Sequence, residues 1–407
     1  MSSISNRTLL LTAQQKLSTG LKKSRTHVRG VGDFLLRKKL PALTPPSKQS
    51  DEHLRFKNPK EALLSWNCKQ TQWWYFTGHL KDATGRRFGF EVTFFERRTN
   101  WDYIVFFPSR VVRPRLFIAH FAISDFEHKD ETKRFRYWDR GGYLENTGFA
   151  SDEVFHVEVG GWSAFKNKAG DIHVNAAAAG NSLALTFEPV KELVYHCDGG
   201  YSQRSHDPDI SSFYCTHTRL KTEGRIVVDG KVFEVEGLSW MDHEKMLVES
   251  TRFDNGWIWY SIQLDSGDDL MVYFLKDRHG KVDPVFSAGT WVSKSGEITR
   301  ISFEDVERQV LDHWTSPSSG GKYPVHSKLR IPKLNLELEV IPLLKQSELD
   351  ISRTSFWAYW EGAMEIKGTL AGKAVTGQGF LELVGYDNRI KSNILHFLFG
   401  PEPHRLG

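Results

Sequence analysis

Short stretches in which apolar and aromatic side chains alternate with polar ones recur along the chain, and this two-residue period predicts β-strands. The clearest pair covers residues 73–80 and 87–95, joined by the turn Asp82-Ala83-Thr84-Gly85. A second hairpin, over residues 224–235, turns at Asp229-Gly230, a dipeptide that favours two-residue hairpin loops. Helix signals are weak, and the strongest covers residues 302–311. The pattern therefore predicts an all-β chain.

Three of the predicted hairpins repeat one arrangement, which we interpret as a loose internal duplication of a β unit. Each starts with a cluster of aromatic residues, reaches a glycine-containing turn and returns with aliphatic and aromatic residues. The clusters begin at Trp73, Trp257 and Phe356. Glycines and a proline in residues 197–218 indicate a break between two halves. The expected parts are an arm (1–55), a first β domain (56–220) and a second β domain (221–400).

The stretch from Val235 to Glu244 is the main candidate for chemistry, because three ionisable residues interrupt an apolar, aromatic-rich run there. On a strand, Trp240, Asp242 and Glu244 would share one face, and Met241 and His243 would share the other. A buried carboxylate needs a partner or a shifted pKa, so two of them beside an indole are costly for a purely structural core. The predicted catalytic residues are Asp242, His243 and Glu244.

Two common catalytic arrangements do not fit this stretch. His243-Glu244 starts like the zinc-protease motif H-E-x-x-H, but residue 247 is Leu. Around Ser239, the second glycine of a nucleophile elbow is missing. General acid catalysis fits, since a carboxylic acid in an apolar pocket stays protonated to higher pH and aromatic faces stabilise a developing carbocation. We therefore expect neither a metal nor a cofactor.

A structural role for the same residues is the alternative interpretation. His243 would then pair with a neighbouring acid, and Asp242 or Glu244 would bond an arginine or a buried backbone group. If this face instead lines a cavity, the aromatic residues beside it would contact the ligand. The predicted ligand-binding residues are Trp74, Tyr75, Trp240, Trp257, Trp259, Tyr260 and Tyr273.

Composition narrows the class of protein further. The 407 residues include 13 Trp and 33 Gly, which favour strands and turns over helices. The cysteines Cys68, Cys197 and Cys215 form no C-x-x-C pair, which favours a reducing compartment such as the cytoplasm over a disulfide framework. No apolar run reaches the ~18 residues of a membrane-spanning helix, so none is expected.

Positive charge is concentrated at the N-terminus. Residues 1–41 contain nine Lys or Arg and a single acid, Asp33, and so carry +8 where the whole chain carries +4. Leu10, Leu17 and Leu21 lie near helical spacing beside lysines, which predicts an amphipathic arm in peripheral contact with anionic lipid. The same residues also fit an organelle transit peptide or a solvated tail. Nucleic acid is not an expected partner, because the basic residues are confined to this arm.

Several of these segments together resemble the AttH-like family, which includes carotenoid 1,2-hydratase (hydroxyneurosporene synthase). In chain order, the matching segments are residues 72–80, 88–95, 119–125, 237–244, 359–363 and 379–386. The site candidates that this resemblance carries over are Trp240, Asp242, His243 and Glu244. Three further residues match motif positions but have no assigned role: His79, His120 and Glu361. Family members usually continue the acidic run with Trp-Gly, whereas this chain has Lys245-Met246.

The resemblance implies two lipocalin-like (calycin-type) antiparallel β-barrel domains after the basic arm, with a cavity suited to hydrophobic molecules. In the hydratase branch it implies cofactor-free, acid-catalysed addition of water to an isoprenoid double bond, and related lipocalin-like proteins are cyclases. The expected partner is thus a hydrophobic small molecule of isoprenoid, polyketide or lipid type, and the expected enzyme is a hydro-lyase or an isomerase or cyclase. A non-catalytic carrier or chaperone of hydrophobic ligands is the alternative.

Overall fold

The computed structural model describes residues 62–65, 71–98, 115–142, 147–204, 210–246, 256–277, 279–352, 354–355, 357–387 and 389. The predicted N-terminal arm (1–55), with its expected lipid contact, lies outside these residues. Within them, no helix is both long enough and apolar enough to cross a membrane.

The described residues form two antiparallel sheets. The strands of the first sheet are β1 (Thr71–Asp82), β2 (Arg87–Arg98), β3 (Arg115–Asp125), β4 (Phe135–Gly142), β5 (Gly148–Ala150), β6 (His156–Val159), β7 (Trp162–Lys166), β8 (Ile172–Ala178), β9 (Asn181–Pro189), β10 (Val194–Tyr195), β11 (Tyr201–Gln203), β12 (Ser211–Val228) and β13 (Lys231–Met246). Those of the second are β14 (Trp257–Leu264), β15 (Asp269–Leu275), β16 (Ala288–Val292), β17 (Ile298–Ser302), β18 (Glu307–Thr315), β19 (Lys322–Ile331), β20 (Leu336–Pro342), β21 (Glu348–Asp350), β22 (Ala358–Leu370) and β23 (Lys373–Leu383). Three single-turn 3-10 helices lie at Glu131–Lys133, Phe303–Asp305 and Pro332–Leu334.

The first sheet curls into a nearly closed barrel. Its strands follow the order β4-β3-β2-β1-β13-β12-β9-β8-β7-β6-β5, and β10 and β11 pair with β12. Every second side chain of these strands points inward, where Phe76, Val92, Phe121 and Met241 belong to one apolar core. The chain closes this sheet by bringing β13 back alongside β1.

The second sheet forms a half-barrel in the order β17-β16-β15-β14-β23-β22-β20-β19-β18, with β21 beside β22. Its own apolar core includes Tyr260, Val272, Trp360 and Leu381. The prediction of an all-β fold with two lipocalin-like barrels is therefore confirmed, and the second of them is the more open.

The chain passes from one sheet to the other between β13 and β14. The domain boundary expected at residues 220 and 221 falls inside β12, which runs unbroken from Ser211 to Val228. Asp229 and Gly230 both have positive φ, so the tight turn between β12 and β13 returns the chain into the same sheet. The β12–β13 hairpin, which the sequence suggests as the start of a second half, is therefore part of the first barrel.

Both sheets share a core of four strands in equivalent order. This core is β2-β1-β13-β12 in the first sheet and β15-β14-β23-β22 in the second. By this order β22 and β23 correspond to β12 and β13, so the third aromatic hairpin matches the closing hairpin of the first barrel. Asp242 lies opposite Tyr75 on β1, and Glu382 lies opposite Trp259 on β14, in the equivalent position.

The helix predicted over residues 302–311 is wrong. Only Phe303–Asp305 forms a helical turn, and β18 follows at once. Its side chains alternate between exposed and half-buried, because β18 is the last strand of the half-barrel and pairs only with β19. Pairing in the sheet overrides the local helix preference.

Candidate functional site between the two sheets

The outer faces of β1 and β13 pack against the outer faces of β14, β22 and β23. Trp240 of β13 meets Trp259 of β14 edge-to-face at 6.1 Å, and Tyr75 of β1 meets the same indole edge-to-face at 5.3 Å. The Tyr75 hydroxyl donates a hydrogen bond of 2.8 Å to Glu361 Oε1 on β22. Aromatic and acidic side chains therefore share one buried layer between the sheets.

Asp242 is the most completely hydrogen-bonded carboxyl group of this layer. Its Oδ2 accepts from the Tyr214 hydroxyl at 2.5 Å, and its Oδ1 accepts from Trp240 Nε1 at 2.7 Å and from the Thr216 hydroxyl. Burial raises the pKa of Asp242 to about 7, although the three donors oppose this shift. With both oxygens accepting hydrogen bonds, the side chain is arranged to carry negative charge.

A buried histidine extends the Asp242 network to the second sheet. The Thr216 hydroxyl gives its one hydrogen to Asp242, so it accepts from His196 Nε2, which lies 2.7 Å away. His196 Nδ1 then accepts from the Thr290 hydroxyl of β16 at 2.9 Å. Burial lowers the pKa of His196 to about 3, which keeps the ring neutral. This chain of contacts fixes the position of Thr216 beside Asp242.

Glu244 lies in a different environment from Asp242 although both point from the same face of β13. Its Oε1 accepts from the Arg204 guanidinium and from the Ser212 hydroxyl. Both members of the Arg204–Glu244 pair are buried, with side-chain exposures of 7% and 5%. Glu244 is therefore the ion-paired acid of this layer.

Glu361 is the acid of this layer whose surroundings most strongly favour the protonated form. It stands directly opposite Glu382 in the β22–β23 pair, and its Oε2 has no hydrogen-bond partner among the described residues. Burial, together with the charges of Glu382 and Glu91, raises the pKa of Glu361 well above its ordinary value. Two carboxyl groups side by side on neighbouring strands cannot both ionise at low cost.

Glu382 and Glu91 complete the acidic layer. Trp257 Nε1 donates to Glu382 Oε2 at 2.6 Å, and burial raises the pKa of Glu382 to about 7. Glu91 accepts from the Thr93 hydroxyl through Oε1, while its Oε2 has no partner within the described ranges. Burial raises the pKa of Glu91 to about 8. The layer thus holds carboxyl groups whose pKa values are raised by burial beside one, Glu244, that is ion-paired with Arg204.

Sequence analysis missed Glu91 and Glu382 and left Glu361 without a role. Each is an acid in the middle of an otherwise apolar or aromatic strand, as Asp242 is. That signal was present in the sequence in two of the three aromatic hairpins, the first and the third. Only the run Asp242-His243-Glu244, with three consecutive ionisable residues, is recognisable as a candidate site from the sequence.

His243 points away from the two carboxyl groups beside it in the sequence. Its ring stacks on Trp74 at 4.7 Å with an angle of 12° between the planes, and its Nδ1 lies 2.8 Å from the Trp73 carbonyl oxygen. Burial lowers its pKa well below the ordinary value. Since alternate residues of a strand face opposite sides, His243 neither orients Asp242 nor relays a proton to it.

The structure brings five of the seven predicted ligand-binding residues together. The five belong to one apolar cluster between the sheets: Tyr75, Trp240, Trp257, Trp259 and Tyr273. Trp74 instead packs in the first barrel, where its Nε1 donates to the Leu63 carbonyl at 2.8 Å. Tyr260 packs in the second half-barrel, with its hydroxyl 2.9 Å from Ser327 Oγ.

Some residues of the layer remain partly exposed to solvent. Trp257, Glu382 and Trp73 keep partial exposure, whereas Asp242, Trp240 and Glu361 are buried. The ionisable partners in reach are carboxyl groups, tyrosines and one guanidinium, and no three His, Cys, Asp or Glu side chains in the described ranges are grouped to hold a metal. What the arrangement offers a ligand is aromatic surface next to a neutral carboxylic acid.

Comparisons with known proteins agree with this fold. The sequence model of the AttH-like family matches residues 50–386. An AttH protein from Nitrosomonas europaea is similar in structure, with a TM-score of 0.69 and 22% identity over 85% of this chain and 98% of that protein. Kievitone hydratase from Nectria haematococca is similar with a TM-score of 0.63 and 14% identity, over 81% and 93%. No curated protein sequence matches the chain significantly.

Proposed function

Because the chain belongs to the AttH-like family, we propose that it binds a hydrophobic, isoprenoid- or lipid-like small molecule between its two sheets and acts on a double bond by cofactor-free acid catalysis. The observation that carries this proposal is Glu361. Its carboxyl group is buried among aromatic rings, opposite a second glutamate, and one of its oxygens has no hydrogen-bond partner among the described residues. A carboxylic acid in such a setting keeps its proton near neutral pH and can give it to a weak base.

The proton donor in this proposal is Glu361. Asp242 and Glu244 were the sequence candidates, but Glu244 is ion-paired with Arg204 and both oxygens of Asp242 already accept hydrogen bonds. Asp242 instead positions Trp240 and Tyr214 as a charged acceptor. Tyr75, which donates to Glu361 Oε1, leaves Oε2 as the atom from which the proton departs.

The reaction balances without any other reagent than water. Glu361 transfers its proton to one carbon of the double bond, and the positive charge that forms on the other carbon is stabilised by the faces of nearby Trp and Tyr rings. Water adds to that carbon and returns a proton to the Glu361 carboxylate, which completes a hydration. If a nucleophile of the substrate adds instead, the same proton transfer gives a cyclisation. The similarity to kievitone hydratase makes hydration the first reaction to test.

Comparing binding with turnover tests the proposal. The candidate substrates are molecules that co-purify with the protein, identified by mass spectrometry, and a panel of prenylated phenols and linear isoprenoids. Each would be incubated with the protein in ¹⁸O-labelled water. Glu361→Gln should bind the same ligand but lose turnover by a factor on the order of 10² to 10⁴, the usual contribution of a positioned acid. Glu297→Gln, at an exposed glutamate, is the matched control and should retain full activity.

The non-catalytic carrier predicts a different result. A carrier would hold its ligand without isotope incorporation in any variant, and Glu361→Gln would change only affinity. If the wild-type protein converted a substrate and Glu361→Gln converted it equally fast, the acid assignment would be wrong. If Asp242→Asn alone abolished turnover, the acid would be Asp242.

A further inference from the structure

We propose that one end of the second half-barrel binds a small organic anion, a carboxylate on an apolar body, through Arg308 and Lys276. This site is separate from the layer between the sheets, because its residues face the interior of the half-barrel. It is therefore independent of the proposed acid catalysis.

Arg308 is a buried donor with unused capacity. Its Nε donates to the Tyr260 hydroxyl at 2.7 Å, and its guanidinium carbon lies 5.9 Å from the centre of the Tyr260 ring. Its Nη2 is buried and has no acceptor among the described residues. A charged donor left without an acceptor is costly, and a carboxylate accepts two parallel hydrogen bonds from a guanidinium.

Lys276 brings a second cation to the same place. Its Nζ donates to the Val384 carbonyl at 3.1 Å and lies 3.1 Å from the centre of the Tyr386 ring. Burial, with the charge of Arg308, lowers the pKa of Lys276 to about 7. Two cations that repel each other in a partly desolvated environment would be stabilised by an anion bound between them.

No carboxylate of the described residues fills that need. Neither Arg308 nor Lys276 forms an ion pair with an acid among the described residues. Arg308 acts on the pKa of Lys276, and the hydroxyls of Tyr260 and Tyr386 act on that of Arg308. Glu348 lies beyond the Tyr386–Tyr323 ring pair, but it already accepts hydrogen bonds. Its donors are the hydroxyls of Ser316, Ser318, Ser319 and Tyr323.

The rings around the two cations favour an anion with an apolar body over an inorganic one. Tyr386 lies beneath Lys276, and Phe274 contacts both Tyr260 and Phe303 edge-to-face, at 6.4 and 6.2 Å. A bare phosphate would be desolvated against these rings without a gain from them. A carboxylate with a hydrocarbon body would satisfy Arg308 and bury its body against the aromatics.

Calorimetric titration with octanoate tests the site in the full-length protein. An anion that binds beside Lys276 raises the pKa of its ammonium, so binding slightly above neutral pH should take up protons, seen as a heat that depends on the buffer. Arg308→Gln and Lys276→Met should each weaken octanoate binding roughly tenfold or more, and Lys276→Met should also abolish the proton uptake. Lys373→Met, at an exposed lysine of the same half-barrel, should leave both unchanged.

Two comparison ligands separate the outcomes. Octanol, which has the body without the charge, should bind much more weakly than octanoate, and inorganic phosphate should not compete with octanoate. Equal binding of octanol, or of inorganic phosphate, would overturn the proposed ligand class. No octanoate binding by the wild-type protein, or binding that both variants retain with the proton uptake intact, would overturn the site. Circular dichroism of each variant establishes that it is folded before titration.

Discussion

At the residue scale, the environment of each acid decides its chemistry more than its place in the sequence does. Asp242 and Glu244 lie two residues apart on one face of β13, yet three neutral donors hold the first and a guanidinium holds the second. Glu361 has one tyrosine donor and a glutamate opposite. The three carboxyl groups therefore differ in their hydrogen-bond partners although all are buried.

The raised pKa of Glu382 predicts how stability depends on pH. The pKa of Glu382 is raised by burial from 4.5 to about 7 in the folded state, so the folded protein binds that proton more tightly than the unfolded chain. The resulting stabilisation is complete below the unfolded pKa and is lost as pH rises through about 7. Denaturant titrations between about pH 5 and pH 8 should show a smaller loss of unfolding free energy for Glu382→Gln than for wild type.

The exposed-residue variant Glu297→Gln is the control for that experiment and should follow the wild-type curve. A Glu382→Gln curve with the same slope as wild type would show that Glu382 is ionised in the folded protein.

The sequence predicted part of this residue-scale picture. It placed Trp240, Asp242 and Glu244 on one face of a strand, because a two-residue period needs only local information. It could not show that Arg204 would pair with Glu244, because these partners lie on separate segments of the chain, nor that Glu382 would face Glu361, because that depends on the register of the β22–β23 hairpin.

At the element scale, β14, β15 and the Ser239–Met246 part of β13 differ from strands such as β18 because nearly every one of their positions is buried. One face of each strand fills its own barrel and the other meets the opposing sheet. Such strands are buried at consecutive positions rather than at every second one, as at residues 258–264. By contrast, β18 alternates along its whole length, since one of its faces meets solvent.

The two faces of β13 predict two kinds of variant. His243 faces the interior of the first barrel, so His243→Gln should lose the stacking on Trp74 and lower the unfolding free energy by about 1 to 3 kcal/mol. Ligand binding and turnover at the layer between the sheets should stay near wild type. Thermal denaturation and activity of the same preparation measure both.

Asp242→Asn provides the comparison from the other face of the same strand. It removes the charge that orders Trp240 and Tyr214, so it should alter ligand binding. A loss of turnover in a folded His243→Gln protein would contradict this division and show that His243 takes part in catalysis.

At the scale of the whole molecule, polar contacts join the two sheets around the aromatic layer. His79 Nε2 lies 2.8 Å from the Gly379 carbonyl, and His120 Nδ1 lies 3.0 Å from the Tyr359 hydroxyl. Burial lowers the pKa of His79 to about 4 and that of His120 to about 3, so both bridge the sheets as neutral rings. Both histidines match family motif positions, and their contacts indicate a structural role.

A buried ion cluster makes a third connection. Asp269 of β15 is fully buried and forms ion pairs of 2.8 Å with Lys191 and 2.7 Å with Arg219 of β12. Asp269→Asn would leave two cations unpaired and should lower the unfolding free energy by about 3 kcal/mol. Calorimetry should also show the single unfolding transition broaden or split, because the two sheets would lose part of their coupling.

Glu234→Gln, which breaks an exposed ion pair with Arg225 on the surface of the first barrel, is the control and should cost less than about 1 kcal/mol. If both variants had equally small effects, Asp269 would not couple the sheets.

The sequence predicted the fold class and the hairpins but not the meeting of the sheets. The Asp-Gly turn and the aromatic hairpins are local patterns, and the strands appeared where these patterns placed them. The boundary expected at residue 220 lies within β12, because the strand order is set by pairing between β1 and β13, the first and last strands of the first sheet in the chain. The candidate site forms where outer faces of two sheets meet, so its full set of residues emerges only from the folded chain.

The most direct test of this account is the infrared difference spectrum between wild-type protein and Glu361→Gln at neutral pH, recorded without any ligand. A buried carboxylic acid has a carbonyl band distinct from the bands of a carboxylate, and the band shifts when the acid proton is exchanged for deuterium. The account predicts such a band in the wild type, sensitive to deuterium and absent from the variant. A difference spectrum that contained only carboxylate bands would show Glu361 to be ionised and would remove the proton on which the proposed catalysis depends.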